Sequence, residues 1–482
     1  MTKFAASVKN LRLTYPGDQE LRFKDLSISF KKGEKVLLLG PSGCGKSTFL
    51  QVLSGLIPNS IEVPVKAEEI MLPDSWGYVF QDPDTQFCMP YVDEEIAFVL
   101  ENLRIPREKM PERIRTLLAE VGLEFEDIHT SIQTLSGGMK QRLAIASVLA
   151  LDPDVLFLDE PTAMLDPQGT TAIWDTVKKV GEDKTLIIVE HKLDHVLDMV
   201  DRIVLFNTEG EIIADGKKDY ILSHYKKTLK ELGVWYPGVW VDYLHSNPRR
   251  AVYERKAEQI IELNDFKGLR KKSSAITVPA ASIASGEWIA ITGTNGAGKS
   301  TLLLSLMQFL KTKGSYTLFG NSVKKAAQVT EHLTYVFQNP EFQFVTNSVY
   351  DEVAYALRLD KMDEKMITEE VNERLDCFGL SRLRKHHPYQ LSIGQKRRLS
   401  VAASIIKSQP VLLLDEPTFG QDSKNTFALL ELLEGYREKG TTILMVTHDE
   451  MIARHFATRV WKIESGQLMN DSFNVEKELV NA

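Results

Sequence analysis

Short apolar runs that stop at a glycine or at paired acids punctuate this chain, and they occur twice. Lys35-Val36-Leu37-Leu38-Leu39 stops at Gly40, and Trp288-Ile289-Ala290-Ile291-Thr292 stops at Gly293. Val155-Leu156-Phe157-Leu158 runs into Asp159-Glu160, and Val411-Leu412-Leu413-Leu414 runs into Asp415-Glu416. Two further runs, at 186–189 and 443–446, precede His191 and His448. Runs this short and this uniformly apolar predict buried parallel strands. A helical pattern follows the first glycine-rich turn, from Thr48 to Leu56. Another period appears at Ile96, Val99, Leu100 and Leu103, where i, i+3, i+4, i+7 spacing predicts an amphipathic helix. Asp93, Glu94 and Glu95 occupy its first turn, where negative charge suits the helix dipole.

The order of these segments reveals a duplication. The turn at Gly40, the pair Phe80-Gln81, Leu135-Ser136, Leu158-Asp159-Glu160-Pro161-Thr162 and His191 all recur in the same order, 253 to 257 positions later. A fixed period across five motifs means one domain repeated, so the expected fold is two α/β domains. Each is expected to have a mostly parallel sheet core and a helical subdomain, at 85–150 and 342–408. Pro237, Asn247-Pro248 and Arg249-Arg250 mark the join. The expected division is 1–245, a first domain with a short C-terminal extension; a linker at 246–256; and 257–482, a second domain.

Composition narrows the function. The 482 residues are 43% hydrophobic and 26% charged, ordinary for a globular protein. A net charge of −8 lacks the basic excess common on nucleic-acid-binding surfaces. Cys44, Cys88 and Cys377 are too widely spaced for a disulfide framework or a metal motif. No N-terminal run reads as a signal peptide, and no stretch approaches the ~18 apolar residues of a membrane span. Any membrane role therefore needs other subunits.

The glycine-rich turns carry the clearest chemistry. Gly40-Pro41-Ser42-Gly43-Cys44-Gly45-Lys46-Ser47-Thr48 and Gly293-Thr294-Asn295-Gly296-Ala297-Gly298-Lys299-Ser300-Thr301 both read G-x-x-x-x-G-K-S between strand and helix. The glycines let backbone N–H groups turn inward around a phosphate, and the helix start adds positive potential. Lys46 and Lys299 reach β- and γ-phosphates; Ser47 and Ser300 suit Mg²⁺. One accidental match in such a chain has a probability on the order of 1%, and two in context leave chance no room. Cys44 sits at a variable position of this turn, as a tolerated small residue rather than a redox switch. Asp159 and Asp415, at strand ends, are placed for Mg²⁺ or its water shell, and Glu160 and Glu416 for polarising an attacking water.

Leu135-Ser136-Gly137-Gly138-Met139-Lys140-Gln141-Arg142 resembles the signature of ABC ATPases, and the resemblance covers nearly the whole chain. Physically, Ser136 is a good N-cap and Gly137 and Gly138 bare a helix start, making a second anion-binding terminus. The resemblance implies that ATP is sandwiched between the Lys-bearing turn of one half and the signature of the other. It implies further that Gln81 and Gln338 touch Mg²⁺ and sense a membrane partner. By the same pattern His191 and His448 hold the γ-phosphate, Asp166 and Asp422 lie in D-loops, and Tyr15 stacks on adenine.

The second copy departs from the pattern. Its signature, Leu391-Ser392-Ile393-Gly394-Gln395, has a β-branched residue where glycine is expected, which crowds the phosphate approach. The site of Lys46 and Glu160, facing Ser392, is therefore expected to hydrolyse ATP more slowly. The adenine-stacking position of this copy falls on Arg270 or Phe266 and stays open.

The segments after Gln81 and Gln338, with Val189-Glu190-His191-Lys192-Leu193-Asp194, resemble energy-coupling factor importers. A single chain carrying both ATPases is similar to the fused subtype linked to thiamine or its hydroxymethylpyrimidine precursor. The implied partners are a transmembrane coupling protein and a substrate-binding component, at the cytoplasmic face of the membrane. The main rival is a soluble tandem ABC ATPase on ribosomes or nucleic acid. The short join, and Ala163-Met164-Leu165-Asp166 after Pro161-Thr162, differ from such translation factors. The intact second turn differs from monosaccharide importer ATPases, and intact Glu160 and Glu416 from a regulatory scaffold.

Overall fold

The computed structural model of the chain describes residues 4–16, 20–163, 165–247, 258–270 and 273–474. The chain divides into two compact units, Met1–Val239 with Asp422–Lys424, and Trp240–Gln421 with Asn425–Ala482.

In the first unit, strand Lys35–Leu39 lies inside a six-stranded sheet. The order is Ile212–Lys217, Arg202–Phe206, Lys35–Leu39, Thr185–Val189, Val155–Asp159, Trp76–Val79. All neighbours are parallel except the first pair. Val155–Asp159 and Thr185–Val189 are buried along their whole length, which is why they are uniformly apolar rather than alternating. Because the strands run the same way, Gly40, Gln81, Glu160 and His191 leave the sheet at one edge.

A smaller antiparallel sheet pairs Phe4–Leu13 with Phe23–Lys31 on one side and with Val65–Lys66 and Glu69–Met71 on the other. Helix Lys46–Leu53 sends Phe49 into a core shared by both sheets, against Phe23, Phe30 and Phe206. This helix is shorter than the 48–56 pattern predicts. Gly55, at φ 78°, turns the chain into a separate short helix, Leu56–Asn59.

The helical subdomain comprises Val92–Asn102, Met110–Glu120 and Gly137–Leu149. Ile96 and Leu100 face inward as predicted. Leu103 caps the helix instead of extending its face, and it is exposed.

The second unit repeats the arrangement within one ten-stranded sheet. Arg459–Glu464, Trp288–Thr292, Thr442–Val446, Val411–Asp415 and Leu333–Val336 lie side by side and parallel. Its helical subdomain contains Val349–Leu359, Glu364–Cys377 and Ile393–Ser404.

The expected boundary at 245 shifts. Tyr243, on helix Val239–Ser246, stacks on Phe427 with centroids 4.0 Å apart, and Trp240 meets the same ring edge-on at 4.9 Å. Aromatic burial therefore packs Trp240, Tyr243 and Leu244 into or against the core of the second unit. The expected linker lies outside the described residues from 248 to 256. Among the described residues no helix is long and apolar enough to cross a membrane.

Candidate functional site

The glycine-rich turns fold back on their own lysines. Gly43 and Gly45 have φ of 82° and 105°, and Gly296 and Gly298 of 78° and 108°, conformations that favour glycine. Lys46 Nζ, buried, donates to the carbonyls of Gly40 (2.8 Å) and Pro41 (3.0 Å). Lys299 Nζ donates likewise to Gly293 (2.8 Å) and Thr294 (2.9 Å). The buried Ser42 Oγ has no hydrogen-bond partner among the described residues, an unmet polar group inside the cradle. Cys44 is buried, as is Ala297 at the matching position.

At the ends of the acidic strands, Ser47 Oγ donates to Asp159 Oδ1 at 2.8 Å and Ser300 Oγ to Asp415 Oδ1 at 3.1 Å. The second carboxylate oxygen is taken by a tyrosine that sequence reasoning missed. Tyr78 hydroxyl donates to Asp159 Oδ2 at 2.9 Å and Tyr335 to Asp415 Oδ2 at 2.8 Å. Burial first, then the neighbouring Glu160, pushes the Asp159 carboxyl up to about 6. Burial also raises Asp415.

Glu160 and Glu416 hold left-handed backbones, φ 47° and 50°, rare for a side-chain-bearing residue. His191 Nε2 lies 3.0 Å from Glu160 Oε1, and Gln81 Nε2 donates to Glu160 Oε2 at 2.8 Å. Burial opposes ionisation of Glu160, but His191 and Lys46 outweigh it and hold the carboxyl below its usual range. In the second unit His448 Nε2 stands 3.2 Å from Glu416 Oε1, an ion-pair distance with poor hydrogen-bond alignment. Against burial, His448, Lys299 and Arg397 hold Glu416 low as well.

The two units are not copies in detail. Gln338 is exposed, and among the described residues it has no bond to Glu416 corresponding to that of Gln81 to Glu160. Instead the buried Arg397 donates to the Glu416 carbonyl at 3.2 Å, whereas its counterpart Gln141 donates to the Phe80 carbonyl at 3.2 Å. Burial pushes the Arg397 guanidinium down to about 10, against the pull of Glu416 and Asp415.

Both signature serines cap helices. Ser136 Oγ accepts from Met139 N at 3.3 Å, with Gly137 and Gly138 opening the helix. Ser392 Oγ accepts from Gln395 N at 3.4 Å, and Gln395 Oε1 returns a 2.9 Å bond from Ser392 N, completing a capping box around Gly394. The Ile393 side chain, on which the expected asymmetry rests, lies outside the described residues. Asp166 Oδ1 caps helix Pro167–Val180 through Gly169 N at 2.8 Å.

Tyr15 hydroxyl meets Thr48 Oγ1 at 2.7 Å, which sets the ring beside the phosphate turn. Of the two residues left open in the second copy, Phe266 is a core residue packed edge-on against Tyr316. Arg270 is exposed and close enough to act electrostatically on Tyr335, beside Asp415. Among the described residues no cluster of three His, Cys, Asp or Glu side chains is set to hold a metal.

A family model described as ABC transporter matches residues 23–163 and 278–419. The chain is 36% identical to a Bacillus subtilis protein named "Putative HMP/thiamine import ATP-binding protein YkoD", over 94% of this chain and 89% of that one. It is 34% identical to a "Putative ABC transporter ATP-binding protein" of Methanosarcina acetivorans, covering 97% and 86%. Among solved structures it is similar to the archaeal ribosome recycling factor aABCE1, crystallised with ribosomal stalk protein aP1. That match has a TM-score of 0.63 at 21% identity and covers 97% and 91% of the two chains. At such identity the likeness is one of fold.

Proposed function

The chain belongs to the ABC transporter family, whose domains bind and hydrolyse ATP, and from that footing we propose that it powers an energy-coupling factor type importer. Two composite sites do the work. Lys46 pairs with the signature at Ser392, and Lys299 with the signature at Ser136. ATP closes the halves on each other, and hydrolysis reopens them.

The observation that carries this reading is the convergence, in each unit, of Lys, Ser, Asp, Glu and His at one strand edge. The turns cradle the phosphates with backbone N–H groups and the lysine. Glu160 and Glu416, kept anionic, accept the proton of the attacking water. His191 and His448 sit within reach of those carboxylates and hold the γ-phosphate. Ser47 with Asp159, and Ser300 with Asp415, present paired oxygen donors that fit Mg²⁺, which takes few protein ligands beside phosphate oxygens. Gln81 and Gln338 complete those sets. Held by these residues, Mg²⁺ would offset the charge of the phosphates.

The transported solute is vitamin-like, thiamine or its pyrimidine precursor. The relative named for HMP/thiamine import supports this. The partners are integral membrane subunits, a coupling protein and a substrate-binding component, and the chain docks at the cytoplasmic face of the membrane. The test is purification of the chain from detergent-solubilised cells, with identification of what comes with it. Integral membrane proteins are expected, together with thiamine or pyrimidine uptake that is lost in Lys46→Ala and Lys299→Ala. Recovery of ribosomes instead would overturn the importer reading and favour a soluble role.

A further inference from the structure

The two switch histidines are held in place by different devices. In the first unit, Glu190 is buried between the strand Thr185–Val189 and the turn after Glu160. One carboxylate oxygen accepts from the buried Thr162 hydroxyl at 2.6 Å. The other accepts from the backbone N–H of His191 at 2.8 Å and of Lys192 at 3.3 Å. Thr162 lies two residues beyond Glu160, so one side chain ties the histidine's backbone to the segment carrying the carboxylate that the histidine faces.

In the second unit Thr447 takes the place of Glu190. Among the described residues its hydroxyl accepts only from Asp449 N, at 3.1 Å. There Asp449 caps the helix Glu450–His455, through Met451 N at 2.9 Å and Ile452 N at 3.4 Å, and that helix fixes the chain after His448. Among the described residues no helix separates His191 from strand Arg202–Phe206; the chain there runs in turns. Without a helix start to order it, the first turn needs another anchor. A buried carboxylate with every bond met is a costly one to remove.

We propose that Glu190 is a positioning residue for ATP hydrolysis, a latch that binds the His191 turn to Thr162 and so sets the distance between His191 and Glu160. It makes no contact with nucleotide and acts through the histidine. The latch belongs to the first unit alone. The proposal rests on the reading of His191 as a γ-phosphate contact.

Steady-state ATPase kinetics test it on the full chain carrying Glu416→Gln, so that the turnover measured is that of the site of Glu160. In that background Glu190→Thr, which installs the residue of the second unit, lowers kcat about tenfold while KM for ATP stays within about twofold. Glu190→Gln keeps an oxygen for both N–H groups and retains kcat within about threefold of the Glu416→Gln chain. Thr162→Val removes only the anchor and gives an intermediate loss; it replaces Glu190→Thr if that variant does not fold. The latch is overturned if Glu190→Thr or Thr162→Val turns over normally, if Gln and Thr are equally impaired, or if KM rises with kcat intact. His191→Ala separates the two ideas. Normal turnover in that variant sinks the reading of His191, whereas an impaired His191→Ala beside a normal Glu190→Thr sinks the latch alone.

Discussion

His191 Nε2 stands 3.0 Å from Glu160 Oε1, and each residue holds the charge of the other. Burial disfavours the imidazolium, yet the carboxylate raises the His191 pKa above its usual value, while the same contact holds Glu160 low. A base kept ionised in a buried site can take a proton from water without first losing one.

The first prediction concerns the carboxylates themselves. Replacing a general base costs roughly 10²–10⁴ in rate. Glu416→Gln is expected to remove most phosphate release. Glu160→Gln is expected to remove less, on the proposed pairing of its site with the signature containing Ile393. Ile393→Gly raises turnover of that slower site. Phosphate release measured on the three variants checks the order; full loss with Glu160→Gln and none with Glu416→Gln would reverse it.

Asp159 links the site to stability. Its carboxyl is raised from 3.8 to about 6 in the folded chain, so the folded state keeps the proton more readily than the unfolded one. Below both values the group has no effect on stability. As pH rises from about 4 to 6 the folded state loses ground, and above 6 the whole penalty remains. Asp159→Asn should therefore stabilise the chain at pH 7.5, by an amount on the order of 2 kcal/mol, even as ATPase activity falls. The gain should shrink as pH drops through 6. Thermal melts between pH 5 and 8 decide it; a gain that grows toward acid would contradict the assignment.

Tyr243 tests where the second unit begins. It stacks on Phe427 and bonds Glu431. Tyr243→Ala should lower the stability of the second unit by about 3 kcal/mol, the usual cost of deleting a buried aromatic ring. Hydrogen exchange should show the loss in strands Trp288–Thr292 and Thr442–Val446. A loss confined to residues before 239 would return the helix to the first unit.

Arg270 and Phe266 are expected to part in their effects. Arg270→Ala should raise KM for ATP about fivefold, through a lost guanidinium stack or charge at the site of Lys299. Phe266→Leu should leave KM alone and cost about 1 kcal/mol of stability. Equal KM effects would remove Arg270 from the site.

The candidate site residues stand out in the chain because phosphate chemistry demands particular types at short spacings. A glycine turn, Lys46, Ser47 and a helix start are all local, as are an apolar strand and the acids at its tip. Duplication then doubled the signal. The helix ends and the domain boundary were less legible, since Gly55 and Trp240 act through a turn geometry and a ring contact that no period encodes.

What folding alone could supply are the partners distant in sequence. Tyr78 reaches Asp159 because strand Trp76–Val79 pairs with Val155–Asp159, residues about 80 positions apart brought side by side. Glu190 meets Thr162, and Arg397 meets Glu416, by the same kind of long-range packing. A buried polar atom must find a partner wherever strand order puts one. Sequence spacing names the candidate phosphate-site groups; the order of the strands chooses the groups that hold them.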